Sequence, residues 1–308
     1  MADSHSLTSR ADPASIDVAA DRAGVDRELR RLCESEALAS LDTTVAEAIR
    51  YSILGQGKRL RPILMLAAYR ACGGRDDASA LAACIEVVHA YSLVHDDLPC
   101  MDDDDMRRGR PTTHRVHGVN VATAAGVAMV PLAVRAACDA GARLGLSNAS
   151  QAAIVRELMR ASGAGGMVGG QLLDLEGEGS SLSVDQLERI HRAKTGALIS
   201  ASARIGGIAA GASAEGLDAL TEFGNALGLA FQIADDVLDA TSTTAALGKT
   251  AGRDAELRKS TYPMLLGVDS AIARATALVE DACAALERAG LRTASLELLA
   301  RYAIARTS

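Results

Sequence analysis

From about residue 23 almost to its end, this chain repeats apolar residues at spacings of three and four, with no convincing strand-like alternation. Leu60, Ile63, Leu64 and Ala67 form one such run, and Leu81, Ile85, Val88 and Tyr91 form another. A period near 3.6 puts these side chains on one helix face, whereas a half-buried strand needs a period of two. The apolar residues are mostly Ala, Leu, Val and Ile; the 308 residues include no Trp, two Phe and five Tyr. Small aliphatic side chains suit closely packed helices better than stacked sheets. Glycine-rich or short polar clusters break the pattern near 73–74, 145–148, 177–181 and 211–216, and no Pro-rich linker divides the chain. The economical expectation is an all-α fold: one large helical bundle over 23–308, preceded by a loose extension over 1–22.

Composition narrows the function classes. Asp and Glu outnumber Lys and Arg by 39 to 32, giving a formal charge of −7, which argues against nucleic-acid binding over a basic face. A local basic pocket is compatible with that total. The six cysteines (Cys33, Cys72, Cys84, Cys100, Cys138 and Cys283) lie far apart with no CxxC pair. They read as reduced, buried small hydrophobes in a cytoplasmic protein. The first twenty residues are polar and carry Asp3, Arg10 and Asp12, unlike a secretory signal. The longest apolar stretch, Val121 to Val134, is short for a bilayer span and contains Pro131, so no stable membrane insertion is expected.

Two acidic clusters carry the chemistry. The first, His95-Asp96-Asp97-Leu98-Pro99-Cys100-Met101-Asp102-Asp103-Asp104-Asp105, ends an apolar run and is followed by Arg107, Arg108 and Arg110. A charge run is often a solvated loop. Carboxylates at the end of a core helix are instead expected to meet cations, and an oxygen-only ligand set favours magnesium. Asp96 and Asp102 stand about 240° apart on an ideal helix, so they can share a face only if the helix bends or ends, and Pro99 is placed to cause that. In the second cluster, Asp235-Asp236-Val237-Leu238-Asp239, Asp235 and Asp239 share a face at i,i+4, with Asp236 at its edge. Such a triplet is equally an ordinary surface feature.

Cationic segments complement the acids: Gly57-Lys58-Arg59-Leu60-Arg61-Pro62, Lys194-Thr195-Gly196, and Lys259-Ser260-Thr261-Tyr262-Pro263. Gly248-Lys249-Thr250 lacks the rest of a P-loop and no strand precedes it, which rules out that nucleotide site. The run Gly163 to Gln171 is too glycine-rich for a comfortable helix interior and reads either as close helix packing or as backbone approaching a ligand. Acidic triplets and basic patches together imply a ligand with several phosphates bridged by metal.

The motifs GKRLRP (57–62), HAYSLVHDDLPCMDDDDMRRGRPTTH (89–114), GMVGGQLLDLEGEG (166–179), RIHRAKTGALI (189–199), FQIADDVLD (231–239) and GKTAGRDAELRKSTYP (248–263) resemble the short-chain trans-polyprenyl diphosphate synthase family, from about Val45 onward. That resemblance implies a helical bundle around a central cavity, usually dimeric. It also implies condensation of isopentenyl diphosphate with an allylic partner, dimethylallyl or geranyl diphosphate. Three magnesium ions, or manganese in their place, would be held by Asp96, Asp97 and Asp102 opposite Asp235, Asp236 and Asp239. Arg107, Lys194, Lys249 and Lys259 would grip the allylic diphosphate, and Lys58, Arg61, His89 and Arg108 that of isopentenyl diphosphate. Thr195 and Gln232 would place oxygens near the allylic cation.

In this family the cavity floor below the first cluster sets product length, and here Tyr91, with Ser92 beside it, falls at that floor. This implies a C15 product. Val127 stands where relatives commonly carry an Asp, and the segment to Val134 is short of bulky aromatics; a deeper cavity and a C20 product are the alternative. A non-catalytic subunit of a heteromeric prenyltransferase would usually lose one acidic motif. A terpene cyclase would carry a different second motif, and a metal-buffering helical protein would lack the cationic patches.

Overall fold

A computed structural model describes residues 18–241 and 259–305. Helices α1 (Val18–Cys33), α2 (Glu36–Ala39), α3 (Thr43–Ile53), α4 (Leu60–Ala71) and α5 (Ser79–Asp96) come first. A short hairpin of β1 (Met106–Arg107) and β2 (Arg110–Pro111) follows. Then come α6 (Thr113–His117), α7 (Val119–Arg143), α8 (Asn148–Ser162), α9 (Met167–Gly177) and α10 (Val184–His191). A π-helical turn, Arg192–Gly196, leads into α11 (Ala197–Ala210) and the long α12 (Ala214–Thr241). Helices α13 (Tyr262–Leu266), α14 (Val268–Arg288) and α15 (Ala294–Ile304) complete the described chain. The expected all-α bundle is therefore present, and α1 begins inside the segment expected to be an extension.

The breaks foreseen from glycine are helix ends. Gly73, Gly145, Gly179 and Gly211 all adopt positive φ (66–91°), the left-handed conformation that closes helices at little cost to glycine. Starts are capped too: Asp42 accepts from the amides of Thr44 and Val45, and Ser183 with Gln186 forms a reciprocal capping box on α10.

Packing neighbours run α7–α5–α4–α11–α12–α14, so α5, α4 and α11 are interior helices. Their alanines and glycines let backbones meet almost directly. A methyl group at Gly206 would lie 2.4 Å from the carbonyl oxygen of Met65, and one at Gly224 would lie 2.5 Å from Cα of Ser200. Bulky aromatics would force these helices apart, which accounts for their scarcity.

Two expectations are corrected. The apolar stretch foreseen over 121–134 belongs to α7, which at 25 residues is long and apolar enough to cross a membrane by length and composition. One face of it, with Ala122, Ala125, Met129 and Ala133, instead packs on α5 and α3 as a core helix does. All six cysteines are unpaired thiols, but only Cys33, Cys84 and Cys283 are buried, whereas Cys100 and Cys138 are exposed.

Arg59 anchors the entrance to α4. Its backbone is left-handed (φ 53°) and its guanidinium is buried. It donates to Glu86 Oε1 at 2.7 Å, to Asp26 Oδ1 at 2.9 Å and to the carbonyl of Gly55 at 2.9 Å. Glu86 lies within the otherwise apolar α5. Removing one member of a buried ion pair strands the other, so Arg59→Met should cost about 3–5 kcal/mol in urea unfolding. Adding Glu86→Leu should recover most of that loss; no recovery would mean that the pair is not the source of the cost.

Candidate active site

The first acidic cluster is built by ending a buried helix and turning the chain back on itself. Helix α5 stops at Asp96, and Pro99 falls in the turn that follows. The amide of Asp102 then donates to the carbonyl of Asp96 at 2.9 Å, and the amide of Asp103 (φ 50°) to that of Leu98 at 3.1 Å. Asp96 and Asp102 are therefore brought together by a turn, which the helical angle between them required.

The hairpin then aims the arginines. Arg108 and Gly109 both have positive φ, 55° and 75°, as the two central residues of a tight hairpin turn require. Arg107 turns towards the acids: Nε donates to Asp97 Oδ1 at 2.8 Å and Nη2 to Asp104 Oδ2 at 3.0 Å. Arg108 turns the other way. Its Nη2 and Arg61 Nη1 lie 3.3 and 3.4 Å from Nε2 of His89. Burial first, and then Arg61 and Arg108, hold the His89 pKa well below the usual histidine value, so the ring is a neutral acceptor. Two guanidiniums gathered around a neutral imidazole form a pocket for an anion. Burial first, and then Arg108, lower Arg61 to about 10 against the opposing charges of Glu86 and Asp235. Lys58 stands outside the cluster, exposed and 5.8 Å from the ring centre of Tyr302.

A second group of cations faces the first acidic cluster. Lys194 donates to Asp174 Oδ2 at 2.6 Å, and Lys259 donates to the same oxygen at 3.0 Å and to Asp102 Oδ1 at 3.4 Å. Burial works against the charge on Lys194, but Asp174, Asp96 and Asp102 outweigh it and raise its pKa. Asp174 was not singled out from the sequence. Its signal was its place with Gln171 at i,i+3 on one face of an apolar helix. The Gln171 carboxamide is buried with no protein hydrogen-bond partner, which suits a residue awaiting a ligand.

The π-turn connects these cations to the second acidic motif. Thr195 Oγ1 donates to Gln232 Oε1 at 2.9 Å, and Gln232 Nε2 donates to Asp236 Oδ1 at 3.1 Å. Asp236 Oδ2 accepts from the amide of Tyr262 at 3.1 Å and lies 3.3 Å from His191 Nε2. Both oxygens of the buried Asp236 thus have protein partners, as does the buried Asp97 through Arg107. Glycines hold the turn in place: a methyl at Gly170 would lie 2.1 Å from the Lys194 amide nitrogen, and one at Gly228 2.5 Å from Cα of Gly196. Tyr91 packs edge-on against His95 with centroids 5.0 Å apart, and Ser92 donates to the carbonyl of His89 at 2.8 Å. Lys249 lies outside the described residues.

Among the described residues, no three acidic or imidazole side chains converge on a ready-made metal cage. That fits magnesium, which is usually held by one or two carboxylates together with substrate phosphates. Burial, and then the neighbouring Asp102 and Asp97, raise Asp96 to about 6 against the pull of Lys194 and Arg107, as expected of carboxylates gathered for a cation. Because its folded pKa lies above the unfolded value, ionised Asp96 opposes folding above about pH 6, and the opposition fades as pH falls through that value. A cation bound at Asp96 would have to displace the remaining proton. Calorimetry at pH 6 in buffers of different ionisation heat should therefore show magnesium pyrophosphate binding release about half a proton more from the native protein than from Asp96→Asn. Equal release would remove Asp96 from the metal site.

Residues 42–290 match the polyprenyl synthetase family. The chain is 46% identical to the farnesyl diphosphate synthase of Escherichia coli (strain K12), covering 86% of this chain and 90% of that protein. It is 41% identical to the chloroplastic geranylgeranyl pyrophosphate synthase of Catharanthus roseus, over 83% of this chain and 72% of the other. A Helicobacter pylori geranyltransferase, solved with magnesium and isoprenyl diphosphate, superposes with a TM-score of 0.79 at 30% identity over 98% of both chains. The gathered acids and cations and these matches agree: the chain belongs to the polyprenyl synthetase family and is a short-chain prenyltransferase.

Proposed function

We propose that this chain is a farnesyl diphosphate synthase, adding isopentenyl diphosphate to dimethylallyl and then geranyl diphosphate and stopping at C15. The observation that carries the length assignment is Tyr91, half-buried on α5 just over one turn before Asp96 and held edge-on by His95. A ring in that place closes the space in which a growing apolar tail would lie. The 46% identity to a farnesyl diphosphate synthase supports the same reading. Val127 does not argue for a deeper cavity, because it is 61% exposed on the outer face of α7.

Asp96 and Asp102 on one side, with Asp235 and Asp239 on the other, would hold three magnesium ions. Asp97 and Asp236, each already bonded to the protein, would orient Arg107 and Gln232. Bound magnesium supplies positive charge to the diphosphate as its bond to the allylic carbon breaks. Lys194, Lys259 and Arg107 add fixed charge on the same leaving group, where it matters most in the transition state. The Arg61–His89–Arg108 pocket seats the diphosphate of isopentenyl diphosphate, and Lys58 would have to turn from Tyr302 to join it. The isopentenyl double bond attacks the allylic cation, a new carbon–carbon bond forms, and the proton lost passes to the departed pyrophosphate. Thr195 and Gln232 present oxygens to the cation, and the aliphatic walls exclude water that would quench it.

Helix α7 leaves Thr123, Ala124, Val127 and Pro131 exposed along one stripe. We assign this face to a second copy of the chain in a cytoplasmic homodimer. Sedimentation should give twice the monomer mass, and Val127→Glu should shift the population towards monomer.

A direct assay of function incubates the protein with magnesium, isopentenyl diphosphate and each of dimethylallyl, geranyl and farnesyl diphosphate, with products sized by mass spectrometry. The first two starters should end at C15, and farnesyl diphosphate should be elongated little. Tyr91→Ala should make C20 or longer products predominate. A C20 endpoint in the native protein would identify a geranylgeranyl diphosphate synthase, and no elongation from any starter would overturn the catalytic assignment for this chain alone.

A further inference from the structure

The floor residue Tyr91 does not stand alone. Its only aromatic contact among the described residues is the edge-on packing with His95, one turn later on α5. His95 is fixed from the opposite side by α7: its Nε2–H donates to the carbonyl of Thr123 at 3.2 Å. The imidazole sits against the α7 backbone at Gly126, where there is no side chain. A methyl group there would lie 2.1 Å from Nε2, 2.4 Å from Cδ2 and 3.0 Å from Cε1 of His95. Gly126 lies inside a helix with an ordinary helical backbone and no positive φ, so no turn requires a glycine. Glycine in a helix interior costs about 1 kcal/mol relative to alanine, and the space taken by the imidazole is the reason visible here for that cost.

We propose that Gly126 is a specificity-determining residue for product length, acting through His95 on Tyr91. It rests on the reading of Tyr91 as the cavity floor. Alanine at 126 would force the nearest imidazole atom to retreat by about 1.3 Å, the gap between 2.1 Å and an ordinary 3.4 Å contact. A ring bonded to α7 on one side and packed on Tyr91 on the other cannot retreat that far and keep both contacts. Tyr91 then loses the partner that fixes its ring, the floor loosens, and chains grow past C15. With the His95 ring held between Thr123 and Tyr91, Gly126 and His95 act as positioning residues for the one that sizes the product.

The experiment compares C20:C15 product ratios, together with thermal melting, for the full-length protein and for Gly126→Ala, His95→Ala, the double variant and Tyr91→Ala. Gly126→Ala and His95→Ala should each raise the ratio severalfold. The double variant should match His95→Ala alone, because the three atoms nearest a methyl at 126 all belong to the imidazole. A purely structural effect of the methyl would lower the melting temperature and total turnover without moving the ratio. Independent, additive effects in the double variant would overturn the relay, as would native ratios in Gly126→Ala while Tyr91→Ala lengthens products. Should Gly126→Ala fail to fold, His95→Ala, which only removes atoms, carries the test, and a native ratio there overturns the proposal. If Tyr91→Ala itself leaves product length unchanged, the floor reading falls and this inference falls with it.

Discussion

Gathering carboxylates at the end of a buried helix is unfavourable unless cations stand close by, because like charges repel and desolvation penalises each of them. Helix α5 ends in such a gathering, and much of the surrounding architecture answers it. Arg107 is delivered by a hairpin whose turn forces Arg108 into a left-handed conformation, Lys194 by a π-turn, and Lys259 by the segment leading into α13. Even so, Asp96 stays raised to about 6. The protein's own cations therefore leave room for the divalent ions and diphosphate of a prenyltransferase.

Backbone proximity is the second constraint. Lys194 and Thr195, which reach Asp174 and Gln232, lie where the helix locally widens into a π-turn, a feature often found at functional sites. The turn fits because α9 and α12 meet it at Gly170 and Gly228. The same economy of side chains brings α7 onto His95 at Gly126. Composition, packing and chemistry are linked here: a chain poor in aromatics can bring helices into near backbone contact, and the few aromatics it keeps include Tyr91, packed on His95, and the buried Tyr262, whose amide donates to Asp236.

Much of this was legible in the sequence. Periodicity and glycine breaks marked the helices because both reflect local backbone physics. The angle between Asp96 and Asp102 required a departure from helix, and the turn supplies it. Arg61, His89, Arg107, Lys194 and Lys259 all stand in the quoted motifs, and the fold groups Arg61 and Arg108 at His89, Arg107 at Asp97, and Lys194 with Lys259 at Asp174. What was not legible depends on tertiary contact. Asp174 reads as an unremarkable acid until two lysines are found on one of its oxygens. Asp97 and Asp236 look identical to their neighbours in sequence, and only the fold shows Asp97 on Arg107 and Asp236 on Gln232 and the amide of Tyr262. Val127 looked like a cavity residue and is an outer one, because helical phase had to be fixed by packing on α5 before its direction was known.

Two acidic motifs sharing one diphosphate through metal would use Asp96, Asp102, Asp235 and Asp239 as ligands while Asp97 and Asp236 remain bonded to the protein. A crystal structure with manganese and pyrophosphate, using anomalous scattering to locate the ions, tests it most directly. The expected result is carboxylate oxygens of Asp96, Asp102, Asp235 and Asp239 at metal-bonding distance, with Asp97 still on Arg107 and Asp236 still on Gln232 and the amide of Tyr262. Ions bound to one motif only, or Asp97 and Asp236 released from these partners to ligate metal, would contradict it.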